Sequence, residues 1–110
     1  PLPPMIHAAY WPTQAICAGD PVTFKVRTFG TTDGAEVWDF GDGSDPVEVQ
    51  SDGNVKKLDP NGYAETTHSF ESAGDYLVQV RRTDRHGVSA IGHLHVHVEE
   101  GISQKRSDKE

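Results

Sequence analysis

Cysteine is nearly absent from this chain of 110 residues. Cys17 stands alone, which excludes an intrachain disulfide and a zinc site built from thiolates. No apolar run approaches the ~18 residues that would cross a bilayer as a helix. Basic residues are scarce too: 10 Lys and Arg against 17 Asp and Glu give a formal charge of −7 with six His neutral. That balance opposes a general binder of phosphate backbones. Catalytic signatures are missing as well. There is no G-x-S-x-G elbow, no H-E-x-x-H helix and no phosphate-cradling P-loop. Nor is there an N-x-[ST] acceptor, since Asn54 and Asn61 lead into Val55-Lys56 and Gly62-Tyr63. No window of helical length carries an apolar stripe at i, i+3, i+4 and i+7.

What is present is alternation with period two, the mark of a strand with one buried face. Val22, Phe24 and Val26 alternate with Thr23, Lys25 and Arg27, Trp38 and Phe40 with Val37 and Asp39, Tyr76, Val78 and Val80 with Leu77, Gln79 and Arg81, and Leu94, Val96 and Val98 with His93, His95 and His97. Glycine and proline together make 18 residues, and turn signals such as Gly41-Asp42-Gly43 and Ala73-Gly74-Asp75 punctuate the chain. The pattern predicts strands over 5–10, 21–28, 35–40, 46–50, 63–69, 75–83 and 88–98, with a weaker one at 55–58. The length fits one domain with a modest core, because hydrophobic residues reach only 35%. The reading is all-β, a sandwich of short antiparallel strands.

One hexapeptide is more specific than the rest. In Trp38-Asp39-Phe40-Gly41-Asp42-Gly43, a strand delivers two large aromatics to one face and then reverses. The glycines permit a tight bend, and Asp42 is placed to cap its backbone N–H groups. Further on, Thr67-His68-Ser69-Phe70 precedes a turn at Gly74 and a long alternating strand, with Tyr76 anchoring the start. Together these segments resemble the polycystic kidney disease (PKD) domain family. Trp38 to Gly43 matches the family's W-D-F-G-D-G signature in full, and Thr67, His68, Phe70, Gly74, Tyr76, Val78 and Val80 match its second signature.

The resemblance covers roughly residues 8 to 99. It implies an immunoglobulin-like β-sandwich of about seven antiparallel strands in two sheets, flanked by a linker at 1–7 and a polar tail at 100–110. Three departures stand out. Ala73 replaces the family's usual proline. Arg82 falls where alternation from Tyr76 asks for an apolar residue, so the strand is expected to leave the core or bulge there. The stretch from Gly43 to Thr66 is longer than the family norm, and residues 51–61 are expected to form an added hairpin or loop.

The resemblance also implies a non-catalytic role. Such modules occur in extracellular parts of larger proteins, bacterial secreted hydrolases among them, as spacers or as protein- or carbohydrate-contacting units. This chain is therefore expected to be a piece of a longer secreted or cell-surface polypeptide, or a periplasmic one. No signal peptide is visible in the sequence. No cofactor, metal, nucleic acid or membrane insertion is expected. Partners would be neighbouring domains, other surface proteins or a polysaccharide.

Candidate sites follow from side-chain placement. His93, His95 and His97 should stand on one face of the last strand, roughly 7 Å apart at successive positions. That gap is generous for a shared metal, and a solvated outer face is the plainer reading. With Val37, Leu77, Gln79, Arg81 and Ile91, the three histidines would form a mixed face suited to docking. Because histidine ordinarily titrates between pH 5 and 8, contact through that face is expected to depend on pH. Asp39, Asp42 and Asp45 invite a calcium or glycosidase reading, but the hexapeptide already accounts for the first two as turn residues. Tyr10 and Trp11 form an aromatic pair which, if exposed, would stack on sugar rings, and Tyr63 is a weaker candidate for the same role. Cys17 is read as a small buried hydrophobe beside Ile16.

Overall fold

The computed structural model of the protein describes residues 4–31, 33–51 and 62–100. Seven strands form: β1 (Met5–Trp11), β2 (Pro21–Phe29), β3 (Glu36–Asp39), β4 (Val47–Val49), β5 (Ala64–Ser69), β6 (Gly74–Thr83) and β7 (Ser89–Val98). All seven pair antiparallel, in a three-stranded sheet of order β1-β2-β5 and a four-stranded sheet of order β4-β3-β6-β7. No α-helix occurs among the described residues. The expected strand limits agree with these to within about a residue. The weaker strand at 55–58 and nearly all of the expected 51–61 loop lie outside the described residues, as do residues 1–3 and 101–110. Met5 to His7, which the sequence reading places both in a first strand and in the linker at 1–7, open β1.

The inward phase of each strand builds one core. Val22, Phe24 and Val26 of β2 face Trp38 of β3, Val78 and Val80 of β6, and Val96 and Val98 of β7, all but fully buried. Phe24 is the hub: its ring centroid lies 5.2 Å from that of Trp38 and 5.0 Å from that of Phe40. Each such aromatic contact adds roughly 0.5–1.5 kcal/mol beyond the burial of area. After β1 the chain crosses to the other sheet. There the Ala18 N–H donates to Glu99 O, and the Glu99 N–H donates to Ile16 O, each at 2.8 Å.

Arg82 corrects an expectation. The strand neither bulges nor leaves the core: β6 and β7 stay in register from Gly74↔Val98 to Thr83↔Ser89, and Arg82 points inward with no exposed surface. Glu36, directly across on β3, makes this possible. Its carboxylate accepts from Arg82 Nη1 at 3.0 Å, Thr28 Oγ1 at 2.6 Å and the Ser51 N–H at 2.9 Å, as well as from the Ser51 hydroxyl. Arg82 Nε donates to Asp33 O at 2.9 Å. A buried charge is tolerated when it is both paired and hydrogen-bonded, and this one is.

Candidate interaction surfaces

The hairpin bend after β3 shows what the hexapeptide does. Asp39 Oδ1 accepts from the Gly41 N–H at 2.9 Å, and Asp42 Oδ1 accepts from the Ser44 N–H at 3.0 Å and from the Ser44 hydroxyl. Gly41 adopts φ 75°, and a Cβ there would collide with the Leu77 carbonyl oxygen of the adjacent strand. Only glycine satisfies both demands. Asp42 Oδ2 lies 2.7 Å from His68 Nε2 on β5, so one carboxylate ties the bend of one sheet to a strand of the other. The His68 ring lies flat on Phe40, with centroids 3.9 Å apart and planes at 4°. Burial pushes the Asp42 carboxyl up, but hydrogen bonds from Ser44 and His68 outweigh it and hold the group below its ordinary value. Tyr76 stands near the start of β6, where its hydroxyl donates to Ser72 O at 2.6 Å and its ring stacks on Phe70.

The outer face of the four-stranded sheet gathers the residues expected to form a surface. Register places Val37 beside Arg81 and Arg81 beside Ile91, then Asp39 beside Gln79 and Gln79 beside His93. Leu77 pairs with His95 and Asp75 with His97. Leu77 is 60% exposed and Ile91 47%. On the β3 side of this face lies a depression of about 170 Å³ lined by Val37, Asp39, Pro46, Gln79 and Arg81. His97 Nδ1 lies 2.8 Å and His95 Nε2 3.5 Å from Asp75 Oδ1. The hydrogen bond with His97 lowers the Asp75 pKa, and the two imidazoles nearby add to the effect.

The aromatic pair of β1 divides between two faces. Tyr10 turns inward, packs on Phe24 and donates its hydroxyl to His95 O at 2.9 Å. Trp11 turns outward and is 71% exposed, beside a depression of about 180 Å³ that Ala9, Tyr10, Thr23 and Lys25 also line. Successive side chains of a strand leave on opposite sides, so the indole stands in water while the phenol packs on Phe24. Tyr63 is engaged: its hydroxyl meets His7 Nδ1 at 2.9 Å, and Lys25 Nζ sits 4.9 Å from its ring centroid. Cys17 is half-buried rather than buried, while Ile16 beside it is in the core.

The Glu36–Arg82 network was not anticipated as a unit. The signal for it exists, because both residues fall in the inward phase of their strands and carry opposite charge. What the sequence withholds is the pairing of β3 with β6 that sets them face to face.

Two sheets packed face to face around a Trp–Phe core, with seven strands among the described residues, define an immunoglobulin-like β-sandwich. Comparison with known families narrows this: the model of the PKD domain matches residues 7–98, and the chain belongs to that family. Its members are generally non-catalytic modules found in larger proteins, extracellular and secreted ones among them. Among solved structures, the chain is similar to the PKD domain of an M14-like peptidase from a Thermoplasmatales archaeon. The identity is 17% and the TM-score 0.64, with 89% of this chain and 97% of that one covered. It is also similar to the PKD1 domain of Vibrio anguillarum Epp, at 19% identity and TM-score 0.61, covering 91% and 98%. No curated protein matches.

Proposed function

We propose that this chain is a non-catalytic accessory module of a larger secreted or cell-surface protein. It acts as a compact spacer and docks a neighbouring domain or another surface protein through the outer face of the four-stranded sheet. The observation that carries this reading is the exposure of Leu77 and Ile91 on a continuous sheet face that also bears Val37, Gln79, Arg81 and the three histidines. Large apolar side chains standing in water among polar residues suit a contact surface. A Leu77→Asp, Ile91→Asp double variant tests it. Affinity for the flanking domain should fall at least tenfold while the unfolding midpoint of the module itself holds. Unchanged affinity would exclude this face.

A second reading is favoured by one observation, the exposed indole of Trp11 beside Thr23 and Lys25. A flat aromatic with hydroxyl and ammonium groups alongside suits a sugar ring, which would direct a parent hydrolase to polysaccharide. Retention on insoluble polysaccharides should disappear in Trp11→Ala. If the unaltered chain is not retained, this reading fails for the polysaccharides tried.

A further inference from the structure

Resting on the stacking role given to Trp11 above, we propose that the depression beside it is a subsite for an acidic sugar, a pyranose ring that bears a carboxylate. The β1–β2 register sets Trp11 across from Thr23 and Ala9 across from Lys25. All leave the three-stranded sheet on its outer side, because Ala8, Tyr10, Phe24 and Val26 take the inward phase. Ala9 contributes only a methyl group, which keeps the space between the indole and Lys25 open. Lys25 is the diagonal neighbour of Trp11 in that pair, about 7–8 Å away along the sheet. A ring stacked on the indole therefore turns its edge toward the ammonium.

The state of Lys25 is the second observation. Its Nζ sits over the Tyr63 ring, 4.9 Å from the centroid. Glu65 stands across from it on β5, yet among the described residues Lys25 forms no ion pair. An exposed ammonium on a flexible four-carbon stem, held by a ring and not by a carboxylate, is free to take an anion from a ligand.

Charge then selects the sugar. The chain carries −7 as a whole, but among the described residues of this face Lys25 and Arg27 outnumber Glu65. At physiological salt, carboxylates farther than about 8 Å are largely screened, so the local cation decides. A neutral ring uses the indole and the Thr23 hydroxyl and leaves Lys25 idle. A uronic acid carries its carboxylate at the ring edge, which stacking leaves uncovered. The ammonium meets it there in a charge-assisted hydrogen bond, the stronger kind.

Titration of the full chain with trimers of galacturonate, mannuronate and glucuronate, each beside its uncharged methyl ester, tests this. Calorimetry reads the affinity, and quenching of tryptophan fluorescence reports the exposed indole. At least one acid should bind about tenfold or more tightly than its ester at 0.15 M salt. Lys25→Gln should bring that acid down to the level of the ester, and Trp11→Ala should remove both. Arg81→Gln, on the other sheet, should change neither. All three positions are exposed, so unfolding midpoints should stay level. Equal affinity for acid and ester overturns the proposal and leaves the sugar-stacking role of Trp11 standing. An acid preference that survives Lys25→Gln also overturns it, by placing the carboxylate elsewhere. Binding of none of these sugars overturns both together.

Discussion

The two ends of β3 solve the same problem by different means. At its C-terminal end Phe40 enters an aromatic stack that His68 and Phe70 extend, and the polar group nearby, Asp42, keeps 14% of its side-chain surface in water. At its N-terminal end Glu36 is wholly buried and meets Arg82, Thr28 and Ser51 in place of apolar neighbours. Each end ties the two sheets together, through Asp42–His68 at one and Glu36–Thr28 at the other. The comparison shows that a tie between sheets can be made by rings with a hydrogen bond at their edge, or by a sealed charge pair. The second has the larger penalty when broken.

The widest contrast should come from Arg82→Ala. Removing one partner leaves the Glu36 charge buried and uncompensated, which costs about 3–5 kcal/mol. A Glu36→Leu, Arg82→Met double variant should recover part of that, because no charge is left stranded, although the Thr28 hydroxyl and the Ser51 N–H lose their acceptor. Urea unfolding of the three proteins measures it, and equal losses in single and double variants would mean that packing, not charge, governs this end.

At the other end, the two glycines of the bend should separate. Gly41→Ala meets both a left-handed φ and the Leu77 carbonyl, for a loss of about 2–3 kcal/mol. Gly43→Ala has open space around it, and its φ of 85° alone costs about 1 kcal/mol. The same unfolding series ranks them, and equal costs would show that the close approach to β6 is unimportant.

Smaller again is Asp42→Asn, at about 1 kcal/mol near neutral pH. The folded-state pKa of Asp42 lies below its ordinary value of 3.8. Its contribution is therefore complete above that value and is lost as pH falls through the folded pKa. The stability gap between the unaltered chain and Asp42→Asn should narrow as the solution is acidified through and below the ordinary value of 3.8. A gap that widens toward low pH would contradict the assignment. The smallest effect belongs to Trp11→Ala, which should move stability by less than about 0.5 kcal/mol, since the ring covers no core.

The same contrast governs what could be read beforehand. Trp38 to Gly43 announces its bend because each residue has a local reason to be there: alternation for the rings, left-handed backbone for the glycines, self-capping for the aspartates. Local logic also places Tyr76 and the histidine stripe. Arg82 has no such reason within its own strand, so sequence suggests a bulge where the fold supplies Glu36 from a strand 46 residues away. Asp75 is similar, since its meeting with His95 and His97 depends on register between β6 and β7. Tyr10 and Trp11 differ in exposure for a simpler cause. Strand alternation separates neighbours, and adjacency in sequence is adjacency across the sheet.

The functional account stands on the outer face of the four-stranded sheet. Hydroxyl-radical footprinting, run on the module alone and joined to its flanking domains, measures that face directly at Leu77 and Ile91. Docking predicts that both become protected in the longer protein while exposed Met5 on β1 reacts equally in the two. Equal oxidation of Leu77 and Ile91 in both contexts would contradict it.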